Sequence, residues 1–484
     1  MTQFDQRNIS MMMDFYEMTM ANGYFKSHGN ERKVVFDVFY RKNPDQGGYS
    51  IFAGLEQILD YIEQMHFTSE DVEYLRNQGI FSEDFLQFLM EFKFKGDIYA
   101  FPEGTVMYPN EPVITVVAPL IDAQLIETAI LTQMNHQSLI ATKASRIVRA
   151  AEGRQVSDFG ARRAHNIDAA VYGSRAAFIG GVSSTATVLA GQSFQIPVGG
   201  TMAHSWVMFF NDEKEAFRQY AITYPEASVF LVDTYDVIRQ GIPNAIQVAK
   251  EVIEPMGERL KGVRLDSGDL AYLSKKVRSM LDDAGMEDCK IIVSNSLDEY
   301  TITSILKQGG KIDSFGVGER MITAKSDPVF GAVYKLVAVE EEDNFEPRIK
   351  ISETLEKITN PGRKKVYRVY SQAGNAIADL IAGADEKVDL SKPYVYVDPD
   401  KPWKHSYFEN CTMKELQMLV LKDGKRVNKK RSLCEIRDYV KEQLHGEIWQ
   451  EEQRFENPHK HYIDMSPVYY EMKMKLLNDV RKQG

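Results

Sequence analysis

Between about residue 121 and residue 340 the chain repeats one pattern: a short apolar run, an abrupt polar stop, then a stretch long enough for a helix. Candidate strands fall at 155–160, 177–183, 195–204, 228–236, 262–269, 290–296, 313–318 and 332–337. Between most of them lie amphipathic segments such as LAYLSKKVRSMLDDAG, where Leu270, Leu273, Val277, Met280 and Leu281 share one helical face. Alternation of this kind implies parallel strands joined by helical crossovers. Up to eight units fit, so the expected fold class is α/β: an irregular, TIM-like barrel with an α+β flanking domain and a C-terminal extension. An open doubly wound sheet is the alternative, although no GxGxxG follows an early strand to make it a dinucleotide fold.

The flanks have a different texture. Residues 1–120 begin with a methionine-rich segment, NISMMMDFYEMTMANGYF, which reads as helix packing because thioethers fill irregular apolar gaps. The alternating KVVFDVFYRK follows, then helical stretches, then KGDIYAFPEGTVMYPNEPVITVVAPL, whose Pro and Gly punctuation points to short antiparallel strands. Residues 341–484 open with antiparallel patterns, PRIKISET and KKVYRVYS, and pass into a helical tail. The expected domains are therefore 1–120, 121–340 and 341–484.

Charge and cysteine usage narrow the function. A formal net charge of -11 argues against a general nucleic-acid or anionic-membrane binder, while leaving room for small anions where arginines cluster. The cysteines, Cys289, Cys411 and Cys434, form no CxxC pair and have no histidine at zinc-ligand spacing, as expected of reduced thiols in a cytoplasmic protein. No basic n-region precedes an apolar run at the N-terminus, and no apolar run approaches a membrane span.

In a barrel the chemistry gathers at the carboxyl ends of the strands, and there this chain places its reactive side chains. QIPVGGTMAHS delivers His204 through a glycine turn, and an imidazole in that position acts as base or nucleophile. His165, after FGARR, is second; His28, His66, His405, His445, His459 and His461 stand in polar or terminal contexts expected of structural or surface histidines. Arg162 and Arg163 at one strand tip and Arg264 within another suit phosphate or carboxylate, or else an ion-pair ring with neighbouring aspartates. Asp233 and Asp236 at one tip, and Asp266 and Asp269 at another, suit magnesium, histidine orientation or ribose hydroxyls; helix capping is the preferred role for Asp269. SFGVGERMITAK sets glycines and Thr323 after a late strand, where barrels often bind phosphate.

The ordered set FGARR, GGTMAHS, VDTYD, RLDSGD and FGVGERMIT, with DFYEMTM near the N-terminus and VYKLV after the last of them, resembles nicotinate phosphoribosyltransferase, a type II phosphoribosyltransferase family. The resemblance implies a homodimer with active sites shared between subunits. It implies transfer of phosphoribosyl from phosphoribosyl pyrophosphate to nicotinate, with magnesium, and with ATP hydrolysis coupled through phosphorylation of His204. By resemblance, Tyr16 of the partner subunit and Phe159 sandwich the pyridine, and Thr201 and Arg264 hold its carboxylate. Arg162, Gly316, Gly318 and Thr323 bind phosphoribosyl phosphates; Asp266 contacts ribose or magnesium, and Asp233 orients His204. Nicotinamide-using relatives carry an aspartate in the loop that matches FIGGVSSTAT, which here has no carboxylate, so nicotinate is the expected pyridine. Glu319 and Arg320 stand where the family commonly has small hydroxyl residues, and the cysteine-rich metal site of some relatives is not encoded. The alternatives are a nicotinamide phosphoribosyltransferase and a non-catalytic barrel that binds without turnover.

Overall fold

The computed structural model describes residues 7–27, 29, 32–342, 344–352, 358–404 and 406–483; His28 and His405 lie outside these. The chain divides into two compact units, one of Met1–Thr142 with Val329–Gly484 and one of Lys143–Pro328.

The first unit centres on a seven-stranded antiparallel sheet drawn from both ends of the chain. Its order is Asn344–Pro347, Val333–Glu341, Lys33–Phe39, Ile114–Pro119, Asp97–Ala100, Met418–Lys422, Lys425–Arg426. Lys33–Phe39, the KVVFDVF run, is buried at every residue after Lys33, as befits a central strand covered on both faces. A four-stranded sheet of Thr412–Glu415, Lys364–Tyr370, Ala376–Gly383 and Ile463–Met465 carries a fully buried ion pair, Arg368 to Asp379, with two hydrogen bonds of 2.9 and 2.7 Å. Burial alone would push Asp379 upward, but Arg368 and then His461 hold it well below the ordinary carboxylate range. The methionine-rich segment becomes the helix Phe15–Lys26, with Asp14 and Glu17 forming its capping box.

The second unit carries a six-stranded sheet in the order Ser184–Thr185, Gln155–Asp158, Ser314–Val317, Lys290–Asn295, Gly262–Leu265, Val229–Leu231. Every pair in it is parallel. Five of the eight candidate strands, those near 155, 228, 262, 290 and 313, therefore appear where the alternation puts them. The expected closed barrel does not: the sheet is open, its outer strands unpaired with each other. Two segments account for this. Residues 177–179 are the end of the helix Ile167–Ile179 and 180–183 the turn after it, because a short apolar run such as AAFI does not distinguish strand from buried helix. Residues 195–204 contribute one bridge, Thr185 to Val198, before the ladder stops. Pro197 has no N–H to continue it, and Gly199 and Gly200 follow. The eighth candidate, near 332, is the strand Val333–Glu341 of the antiparallel sheet in the first unit.

Candidate active site

Because the six strands run parallel, their carboxyl ends lie along one edge, and the polar stops of the sequence meet there. Arg264 is the hub. Its Nε donates to Ser294 Oγ at 2.8 Å and its Nη1 to Thr201 Oγ1 at 2.8 Å and the Met202 carbonyl at 3.4 Å. Nη2 donates to Asp266 Oδ1 at 3.1 Å. The guanidinium also lies 5.4 Å from the centre of the Phe159 ring, within cation–π range. The partly exposed cluster thus combines one cation, a half-buried aromatic face and a threonine hydroxyl, the inventory needed to hold a flat, anionic ring.

His204 opens the short helix His204–Phe209, and its Nε2 lies 3.1 Å from Asp233 Oδ1. The Asp233 side chain is 1% exposed, so its charge needs internal partners. The Asp266 backbone N–H at 2.8 Å and the Ser267 hydroxyl at 2.7 Å supply them through Oδ2. One carboxylate therefore ties the histidine segment to the RLDSGD tip. The four tip aspartates separate cleanly. Asp236 accepts from the N–H groups of Ile238 and Arg239, and Asp269 from that of Tyr272, as helix caps. Asp233 and Asp266 face the cluster.

Phe159 owes its place to what lies beneath it. A Cβ on Gly316 would stand 2.3 Å from Phe159 Cε2, so the ring rests on bare glycine backbone. One residue earlier, Asp158 is fully buried and accepts from Gly160 N–H, Ser174 Oγ and Thr185 Oγ1 at 2.8, 2.7 and 2.8 Å. Burial raises this carboxyl, and the three hydrogen bonds work against the rise. Arg162 follows on an exposed 3-10 turn with no hydrogen bond or ion pair among the described residues. Arg163 stands 3.9 Å from Glu319, and His165 is exposed.

Gly318 precedes the turn Glu319–Ile322, and a Cβ there would meet the Phe159 carbonyl at 3.1 Å. Thr323 donates its hydroxyl to the Glu319 carbonyl at 2.8 Å, so the group is engaged within that turn. Glu319 and Arg320, the departures from the family pattern, are both paired: Glu319 with Lys325 at 2.6 Å, and Arg320 with Asp298. Tyr16 is on the helix Phe15–Lys26 of the first unit. Its hydroxyl is pushed above the ordinary phenol range, first by burial and then by the Glu127 carboxylate. Among the described residues no group of three or more His, Cys, Asp or Glu gathers for a metal, and no helix is long and apolar enough to cross a membrane.

Ser294, Ser267 and Asp158 were not among the expected site residues. The strand tip IIVSNS is legible in the sequence, but which of its two serines points to Arg264 depends on the pleat.

An α/β protein with a parallel sheet and an arginine-centred polar cluster at its strand ends is the class that this fold and site define. Three family models match in succession: the nicotinate phosphoribosyltransferase N-terminal domain over residues 11–135, the nicotinate phosphoribosyltransferase family over 154–400 and the C-terminal domain over 363–473. The chain belongs to the nicotinate phosphoribosyltransferase family. It is 44% identical to nicotinate phosphoribosyltransferase of Bacillus subtilis, over 99% of this chain and 97% of that one, and 33% identical to that of Caenorhabditis elegans, over 95% and 92%. Among solved structures, human nicotinic acid phosphoribosyltransferase superposes with a TM-score of 0.86 at 27% identity, covering 96% of this chain and all of that one. Nicotinate-nucleotide pyrophosphorylase from Pyrococcus furiosus gives 0.70 at 25%, covering 92% and 97%.

Proposed function

We propose that this chain joins nicotinate to phosphoribosyl pyrophosphate, giving nicotinate mononucleotide and pyrophosphate for NAD salvage, and that ATP hydrolysis is coupled to the reaction through His204. The observation that carries the reading is the Arg264–Thr201 seat beside the Phe159 ring, which matches a pyridine bearing one carboxylate. In the reaction the pyridine nitrogen lone pair forms the bond to ribose C1, and the C1–O bond breaks with its electron pair leaving on pyrophosphate. No base has to remove a proton, so the protein's task is to position two anions and offset their charge. Arg162, exposed and without an ion pair among the described residues, suits the phosphoribosyl phosphate, together with the backbone of Gly316, Gly318 and Thr323. Tyr16 of a partner copy would cover the other face of the pyridine.

Magnesium fits as a substrate-borne ion. Asp266 Oδ1 is engaged by Arg264 and Ser294, whereas Oδ2 has no hydrogen bond among the described residues. One carboxylate oxygen plus pyrophosphate oxygens is the usual magnesium pattern, and the ion would offset charge on the departing pyrophosphate.

Asp233 explains why His204 is suited to accept phosphate. With Nε2–H donated to Asp233, the lone pair resides on Nδ1, and it is Nδ1 that attacks the γ-phosphorus of ATP, with the bond to ADP breaking. Water then cleaves the P–N bond and returns phosphate and free imidazole. The homodimer is supported by an apolar face on the helix His204–Phe209, where Met208 and Phe209 are 65% and 82% exposed. The free cysteines are consistent with a cytoplasmic setting.

The test is formation of the mononucleotide from nicotinate, phosphoribosyl pyrophosphate and magnesium, with and without ATP, against nicotinamide and quinolinate as competing pyridines. His204→Ala is expected to retain some mononucleotide synthesis and to lose both ATP stimulation and acid-labile phosphate from labelled ATP. Full ATP coupling in that variant would remove His204 from the role.

A further inference from the structure

Ser294 touches both charged partners of the cluster at once, and neither the sequence pattern nor the reaction assigns it a role. It is 3% exposed, in the strand Lys290–Asn295, beside Arg264 and Asp266 of the neighbouring strand and its tip. Its Oγ accepts from Arg264 Nε at 2.8 Å and donates to Asp266 Oδ1 in a short contact. Buried this deeply, the hydroxyl has no water to exchange for either bond.

Counting donors shows what those bonds decide. A guanidinium has five N–H groups in a rigid fork. In Arg264 one goes to Ser294, two from Nη1 go to Thr201 and the Met202 carbonyl, and one from Nη2 goes to Asp266. One Nη2 N–H has no acceptor among the described residues. Ser294 is the acceptor at Nε among the described residues, and so keeps that position of the fork from turning to the second oxygen of Asp266. Without that hydroxyl, the favoured arrangement for an arginine beside an aspartate is the two-bond pair, fork to fork. Arg264 would turn toward Asp266, draw Nη1 away from Thr201 and commit its charge inside the protein. The Ser294 proton acts in the same direction, since it occupies Asp266 Oδ1 and weakens the aspartate's claim on the arginine.

We propose that Ser294 is a positioning residue that sets selectivity for a carboxylate-bearing pyridine, by keeping Arg264 aligned with Thr201 and only singly paired with Asp266. The proposal rests on the reading that Arg264 and Thr201 receive the pyridine carboxylate. A neutral carboxamide gains little from the free charge, so the effect is specific to the anionic substrate.

The experiment is steady-state kinetics on the full-length enzyme with Ser294→Ala, Ser294→Thr and Arg264→Gln, varying nicotinate, nicotinamide and phosphoribosyl pyrophosphate separately. Losing one hydrogen bond to a charged group is expected to raise the KM for nicotinate about tenfold. The KM for phosphoribosyl pyrophosphate is expected to rise as well, because a fork-to-fork pair takes up Asp266 Oδ2, but equally with either pyridine, so the preference for nicotinate over nicotinamide should still fall by about the same tenfold. Ser294→Thr, which keeps the hydroxyl, should restore most of the loss. Should Ser294→Ala fold poorly, Ser294→Cys keeps the volume while weakening the donor and should shift the nicotinate KM in the same direction. An unchanged nicotinate KM in Ser294→Ala, or equal losses for nicotinate and nicotinamide, overturns the proposal if Arg264→Gln does raise the nicotinate KM. If Arg264→Gln leaves that KM unchanged, it is the carboxylate reading itself that fails.

Discussion

Gly316 has room for a hydrogen and nothing larger, because the Phe159 ring lies across its backbone. Substitution to alanine would put a methyl group at 2.3 and 2.4 Å from two ring carbons, distances real Cβ atoms do not keep, so the ring must lift. Gly316→Ala is therefore expected to raise the KM for nicotinate by an order of magnitude or more while the protein still folds, measured by steady-state kinetics beside circular dichroism. Close fits like this lie beyond what a sequence displays: FGVG shows a glycine, not what rests on it. The same boundary runs through the aspartates. Asp269 is legible as a cap because its helix follows at once, and Asp236 caps in the same way. Asp233 looks identical in the chain, and only the fold brings Asp266 N–H and Ser267 to its second oxygen.

Among the elements, the parallel strands were legible wherever an apolar run ended on Asp, Ser, Asn or Gly with an amphipathic helix behind it. Three candidates misled: AAFI is too short to reveal its period, QIPVGGTMAHS combines a strand's hydrophobicity with a proline and two glycines that prevent a ladder, and the run near 332 is a strand whose partner, Lys33–Phe39, lies about 300 residues earlier in the chain. That second failure has a measurable counterpart. The segment 199–203 joins the Thr185–Val198 bridge to the helix His204–Phe209 without strand pairing beyond that bridge, and a Cβ at Gly200 would meet nothing within 4 Å. Beyond the Gly199 N–H to the Thr185 carbonyl, it is tied by Arg264, which donates to the Thr201 hydroxyl and the Met202 carbonyl, and by His204 beside Asp233. In hydrogen–deuterium exchange, amides 200–203 are expected to exchange fast in the free enzyme and to slow when nicotinate engages Thr201. Slow exchange in both states would mean that the segment is held by contacts other than these.

Across the molecule, stability should depend on pH through a carboxyl of the first unit. Asp464, in the strand Ile463–Met465, is raised to about 7 by burial and by Asp398 and Asp379, with His461 opposing. The unfolded chain releases that proton near pH 4. Between about pH 4 and pH 7 the native state therefore holds a proton that the unfolded state has lost, and stability falls as the pH rises through this window. Asp464→Asn is expected to leave the melting temperature nearly unchanged at pH 4 and to raise it by roughly 5 °C at pH 8 in thermal scans; a constant gap at both would assign the effect to packing. The antiparallel sheet of the first unit has a different consequence, one of timing. Lys33–Phe39 waits for residues 333–341, and Asp97–Ala100 for residues 418–422. On the ribosome these two strands can pair with Ile114–Pro119 between them, but the outer edge of each stays uncovered while the whole parallel-sheet unit is synthesised and emerges. The nascent chain must therefore shield apolar strand edges through most of translation, and there, rather than in the finished enzyme, aggregation has its opening.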